Sequence, residues 1–272
     1  MIHFSDKTVL ITGSTDGLGK ALAKRLALKG AIVLLHGRDE QKGQRVLDEI
    51  VSSTGNKNIS YFNSDLASLQ SVRDLASMVS EHHPSLNILV NNAGINYSSE
   101  ERLLSAEGYE LCFAVNYLAP FLLSHLLLPL LQHKSNSQII NVASGSQFDI
   151  DFENVMLEAD YSDRRAYAQS KLALIMLTFT MAGQLKDSSV KVNTLHPETR
   201  MDTKMVLDKY GEAQSSVEDG VDNILSLMEQ AEIHHLTGAY LDKNEQAPAR
   251  SQAYDIIARD KLYRLSKTLV KY

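Results

Sequence analysis

Two polar side chains stand four residues apart in the stretch "YAQSKLAL": Tyr167 and Lys171. The surrounding pattern is helical, so this spacing puts both on one face. A phenol ordinarily titrates near ~10 and is a poor base at neutral pH. An ammonium ~5 Å away, at an effective dielectric of ~20, favours the phenolate by about 3 kcal/mol, or roughly two pKa units. In bulk water the same pair is worth under ~1 kcal/mol. The pair therefore does chemistry only in a dry site. On an exposed helix the same spacing is common and inert, so other residues must decide.

A second chemical feature lies near the N-terminus, in "VLITGSTDGLGKALAKRLAL". Val9, Leu10 and Ile11 read as a strand buried on both faces. Ala21, Leu22, Ala23, Leu26, Ala27 and Leu28 follow a helical rhythm. The loop between them, Thr12, Gly13, Ser14, Thr15, Asp16, Gly17, Leu18 and Gly19, sits where free backbone N–H groups and a helix dipole attract an anion. It is not an ATPase loop: five residues separate Gly13 from Gly19, and Lys20 is followed by Ala21. It is not an esterase elbow, because Thr15 occupies the nucleophile's place between Gly13 and Gly17. The Gly-x-Gly-x-x-Gly spacing is absent too. Asp16 brings a carboxylate to the loop or caps the helix.

These features need elements to position them. Apolar runs at 31–37, 58–65, 86–94, 137–145 and 190–197 read as further strands, with a seventh at 237–242. Helical patterns separate them, the longest at 107–133, 165–186 and 217–230. Alternating strands and helices imply an α/β fold: one doubly wound parallel sheet of about seven strands with helices on both faces. No linker divides the chain, so 1–272 reads as one domain. Ligands in such sheets bind beyond the carboxyl ends of the strands.

Those ends hold polar or small residues. After the second strand comes "HGRDE": Arg38 would pair with a ribose 2′-phosphate, although Asp39 follows it and His36 does neither. The balance favours NADP(H) over NAD(H). Asp65 and Leu66 follow the third strand and suit an adenine edge. Asn91, Asn92, Ala93 and Gly94 follow the fourth and let a nucleotide approach the backbone.

Composition narrows the partners. A net charge of −6 disfavours nucleic acid and anionic membranes. The single Cys112 permits no disulfide framework, which fits a cytoplasmic location. His82–His83 and His234–His235 lack helical ligand spacing, so no metal is expected. With six residues before the first strand, no leader is expected. Leu118–Leu131 is apolar but shorter than the ~20 residues of a membrane span, and is expected to be a buried or subunit-facing helix.

The glycine loop, Asp65-Leu66, Asn91-Asn92-Ala93-Gly94, "NVAS" (141–144) and Tyr167-x-x-x-Lys171 together resemble the short-chain dehydrogenase/reductase family in order and spacing. "VNYLAPFLLSHLLLPLL", "AYAQSKLAL" and the tail "LYRLSKTLV" resemble its retinol dehydrogenase and protochlorophyllide reductase branch. The resemblance implies a Rossmann-like NAD(P)-binding domain and hydride transfer between NADP(H) and a carbonyl or alcohol. It implies a tetrad: Tyr167 as proton donor or acceptor, Lys171 lowering its pKa and binding ribose, Ser144 holding the carbonyl, and Asn116 supporting a water. Ser146 is a weaker alternative to Ser144. Gly13 to Gly19, Arg38, Asp65, Leu66, Asn92, Ala93, Gly94, Tyr167, Lys171, Pro197 and Thr199 would contact the cofactor, with Thr203 an alternative to Thr199. Glu198 stands where the family has glycine.

Segments 145–163 and 198–218 resemble caps over the substrate. Phe148, Ile150 and Phe152 in one, and Met201, Met205 and Tyr210 in the other, suggest a lipophilic substrate or simply cover the core. Helices 107–133 and 165–186 resemble the family's pairing surface, implying a homodimer or homotetramer. A rival reading is a non-catalytic, redox-sensing NADP(H)-binding protein. A light-driven reductase is a third, lacking the expected cysteines.

Overall fold

A computed structural model describes residues 3–97 and 101–272. One sheet runs through it in the order β3-β2-β1-β4-β5-β6-β7-β8. The strands are β1 (Thr8–Ile11), β2 (Ile32–Gly37), β3 (Ile59–Asn63), β4 (Ile88–Asn91), β5 (Gln138–Val142), β6 (Lys191–His196), β7 (Tyr240–Asp242) and β8 (Glu245–Gln246). The first seven are parallel, and β8 folds back antiparallel on β7. The seven strands expected are present; the eighth is two exposed residues and carries no apolar signal.

The helices are α1 (Gly17–Leu28), α2 (Glu40–Thr54), α3 (Leu69–His82), α4 (Leu111–Phe113), α5 (Ala119–Gln132), α6 (Asp163–Gln184), α7 (Lys204–Tyr210), α8 (Val217–Ile233) and α9 (Ile256–Val270). They cover both faces because successive strand residues point opposite ways. Val9, Ile11, Val33 and Leu35 join Leu22, Leu26 and Leu227 in one core. Leu10 and Leu34 join Leu75, Val79 and Leu122 in the other. The strand order reverses between β1 and β4, which run parallel and pair Ile11 with Val90. That switch point opens the crevice in which the glycine loop lies.

A five-residue π-helical turn, Ala114–Leu118, joins α4 to α5. The run Leu111–Gln132 thus reaches 22 residues, longer than the 14 apolar residues suggested, and passes a membrane-span test by length and composition. It is a core element here: 83% of its most apolar window is buried inside the fold.

Helix α9 was not expected from the sequence. Its buried side is a narrow stripe, Ala258, Leu262, Ser266 and Val270, with a polar residue in it and a small one at its head. The helix docks on α6 and on the Leu111–Gln132 run. The Tyr117 hydroxyl lies 2.6 Å from Ser266 Oγ, His125 Nε2 lies 2.9 Å from the Tyr263 hydroxyl, and Tyr109 donates to the Leu269 carbonyl at 3.0 Å. This explains why α6 is buried on most sides between Ala166 and Ala182, its polar Gln169, Ser170, Lys171 and Thr178 included. Part of the surface of α5 and α6 is thus covered by α9 of the same chain.

Candidate active site

The glycine loop is held from three sides. Thr12 Oγ1 accepts from the backbone N–H groups of Asn92 and Ala93, each at 3.0 Å. Asn92 Nδ2 donates to the carbonyls of Thr12 (2.8 Å) and Gly13 (3.2 Å). Gly13 has φ +64°, and a Cβ there would lie 2.8 Å from Ala93 Cα. At Gly19 a Cβ would run into the Gly13 carbonyl and Asn92. Glycine is therefore required for close packing at both positions. Ser14 is buried, its N–H donating to the His36 carbonyl and its Oγ accepting the His36 N–H, both at 2.9 Å. Asp16 caps α1 by accepting from Gly17 N–H at 2.8 Å. The Leu18 side chain is buried in the core below.

Beyond β2, Gly37 leaves room for Thr15, whose Cγ2 would lie 2.6 Å from an added Cβ. Arg38 is exposed at this end, and Asp39 caps α2 by accepting from Lys42 N–H at 2.9 Å. Lys42 turns its ammonium onto the Asp16 carboxylate, so the loop's negative charge has a counter-ion. Asp65 is exposed and accepts from Ala67 N–H at 2.9 Å, while Leu66 is buried.

The tetrad residues converge beside this loop. Asn116 lies in the π-helical turn, a feature that recurs at functional sites. Its amide donates to the Ile95 carbonyl (3.0 Å) and to Ser170 Oγ (2.9 Å), and its oxygen accepts from Ile95 N–H (2.8 Å). Lys171 is buried and donates to the Val142 carbonyl at 2.8 Å. A Cβ on Gly94 would lie 3.2 Å from Lys171 Nζ and 3.4 Å from Asn116 Oδ1. Bare backbone at Gly94 keeps this corner open to a ligand. The Tyr167 ring centroid is 5.7 Å from Lys171 Nζ, and the Ser144 hydroxyl is close enough to lower the phenol's pKa. Ser144 Oγ also accepts from Ser146 N–H at 3.1 Å, so Ser146 supports Ser144.

The electrostatics correct one expectation. Burial pushes the Tyr167 phenol up to about 12, against the lowering influence of the Ser144 hydroxyl. Lys171 is not among the groups that depress it. Burial instead pushes the lysine itself down to about 8, and its proton is shared with a strand carbonyl.

The loop after β6 closes the far rim. Pro197 accepts from Asn223 Nδ2 at 2.7 Å. Thr199 Oγ1 lies 3.1 Å from His196 Nε2. Glu198 accepts from Thr199 N–H at 2.8 Å and pairs with Lys243 at 2.9 Å. That ion pair draws the Glu198 side chain toward the β7–β8 turn. Thr203 caps α7, and its Cγ2 would lie 3.1 Å from a Cβ on Gly17. Lys209 then ties α7 to Asn96 Oδ1 (2.6 Å) and Asp163 Oδ2 (2.9 Å). In the other cap segment, Ile150 is buried and Phe152 packs against the core, so that stripe covers the core. Reading the sequence did not single out Lys42, Lys209 or Lys243, because surface lysines are common and only the fold supplies their partners.

The glycine loop lies at the switch point, with the phenol and amine of α6 and the Ser144 hydroxyl after β5 converging beside it. The short chain dehydrogenase family model matches residues 7–215, and the chain belongs to that family. Retinol dehydrogenase 11 of Homo sapiens is 38% identical over 200 residues, covering 73% of this chain. The chain spans 62% of that relative's length. The crystal structure of an uncharacterized protein from Mycobacterium paratuberculosis matches with a TM-score of 0.80 and 26% identity, covering 98% of this chain and 94% of that one. A short chain dehydrogenase from Escherichia coli CFT073, complexed with NADPH, matches with a TM-score of 0.73 and 25% identity, covering 89% and 98%.

Proposed function

We propose that this protein is an NADP(H)-dependent oxidoreductase acting on a lipophilic carbonyl or alcohol. The observation that carries the reading is the convergence of Tyr167 and buried Lys171, whose Nζ lies 5.7 Å from the phenol ring centroid, beside Ser144. When bound, the nicotinamide supplies or accepts the hydride. The chain supplies everything else. Free N–H groups at the start of α1 face an anion, and bare backbone at Gly13, Gly19 and Gly94 admits a dinucleotide.

Ser144 and Tyr167 hold one oxygen between two hydroxyls. With its pKa at about 12, Tyr167 keeps its proton at neutral pH and can give it to a developing alkoxide. Reduction therefore runs on the resting protonation state; oxidation needs the phenolate. Lys171, protonated below about 8, would bind the nicotinamide ribose, and Asn116 holds the loop that faces it.

Arg38, just after β2, and Lys42, in the first turn of α2, support a phosphorylated ribose, as does the NADPH-bound structural neighbour. A lipophilic substrate rests on the name of the retinol dehydrogenase relative and on α7, which leaves Met205, Leu207 and Tyr210 exposed over the rim. The test is Tyr167→Phe, assayed with NADPH against retinal and other long aldehydes. The expected outcome is turnover lowered by at least about 100-fold with NADPH binding unchanged. Full turnover in the variant refutes the role; NADPH binding without turnover in the wild type favours a redox sensor.

A further inference from the structure

His36 is a buried imidazole that the chemistry above does not use, yet it touches the glycine loop. It is the penultimate residue of β2, three before Asp39, the cap of α2. Its Nδ1 accepts from Gly13 N–H at 3.1 Å, and its Nε2 lies 3.1 Å from the Ser64 carbonyl. One ring therefore bridges the turn at the end of β1 and the residue before Asp65 at the end of β3. Gly13 is gripped at both backbone groups, its N–H by His36 and its carbonyl by Asn92.

The partners determine the ring's chemistry. A backbone N–H can only donate, and a carbonyl can only accept. Nδ1 must therefore carry the lone pair and Nε2 the proton. Protonation would set two donors face to face at Gly13. The charged group facing the ring is Asp65, which favours protonation; burial opposes it and wins.

We propose that His36 is a positioning residue for the dinucleotide: as a neutral Nε2–H imidazole it holds Gly13 in the conformation that receives the pyrophosphate. The proposal rests on the NADP(H) reading and adds a residue to it. Because both contacts are to backbone, asparagine can reproduce the acceptor at Nδ1, whereas glutamine reproduces only the donor at Nε2.

The test combines NADPH titration of variants with nitrogen-15 spectra of histidine-labelled wild type. In the spectra, His36 is expected as the Nε2–H tautomer, without titration between about pH 5.5 and 8. His36→Ala is expected to raise the NADPH Kd about 10- to 100-fold, with kcat at saturating NADPH and the aldehyde KM within about threefold. His36→Asn should restore most of the affinity and His36→Gln less. An Nδ1–H tautomer, titration near 6.5, or wild-type affinity in all three variants overturns the role of His36 alone. Wild-type protein that binds neither NADPH nor NADH overturns both this role and the function it rests on. Should the alanine variant fail to fold, the asparagine–glutamine pair and the spectra decide.

Discussion

Replacing Lys171 with methionine should make the protein more stable at neutral pH while destroying its activity. The lysine is 4% exposed, and burial lowers its pKa from the ordinary 10.5 to about 8. At about 1.4 kcal/mol per pKa unit, that displacement corresponds to about 3 kcal/mol. Below pH 8 both folded and unfolded chains hold the proton, and the folded chain bears the full cost of a buried ammonium. Between 8 and 10.5 the folded chain has released the proton while the unfolded chain retains it. Wild-type stability from this group therefore rises with pH across that window.

Lys171→Met removes the charge but leaves the Val142 carbonyl without its donor, a loss of about 1–2 kcal/mol. The balance is a gain of about 1–2 kcal/mol at pH 7, or roughly 2–8 °C in melting temperature. Above pH 10.5 the variant should be the less stable by a similar amount, with the curves crossing near pH 9. Thermal and urea denaturation of both proteins between about pH 6.5 and 10.5 measures this. A variant less stable than wild type at pH 7, or a difference that does not change with pH, would refute a buried, destabilised ammonium.

Arg38→Ala should weaken NADPH binding about 10-fold or more and leave NADH unchanged, measured by titration. Lys42→Ala should weaken both, because it also strips Asp16 of its counter-charge beside the pyrophosphate site; equal effects of the two substitutions on NADH would contradict this division. Leu262→Ala, in the buried stripe of α9, should lower stability by about 3 kcal/mol, roughly 6–12 °C in melting temperature. An unchanged midpoint would show that α9 does not cover α5 and α6.

Strong local signals made much of the fold legible. Fully apolar strands such as Val9–Ile11, glycines at strand ends and the Tyr167-x-x-x-Lys171 spacing are local patterns, and the structure brings them to one crevice. Asp16 was legible only as a loop carboxylate or a cap, and the structure shows it capping α1. Helix α9 was hidden because its buried stripe includes serine and alanine, which carry little hydrophobic signal. The Phe148, Ile150 and Phe152 stripe was ambiguous in sequence because alternation does not say what lies beneath it.

Local sequence determined the strand–helix alternation, the anion-facing loop and the side chains able to move a proton, since backbone periodicity and side-chain type act over a few residues. Tertiary structure alone decided how those groups behave. Burial raised Tyr167 and lowered Lys171, an ion pair turned Glu198 toward Lys243, α9 covered α5 and α6, and His36 became the strut of the glycine loop. The reason is that desolvation and hydrogen-bond partners come from residues distant in the chain, which no spacing rule contains.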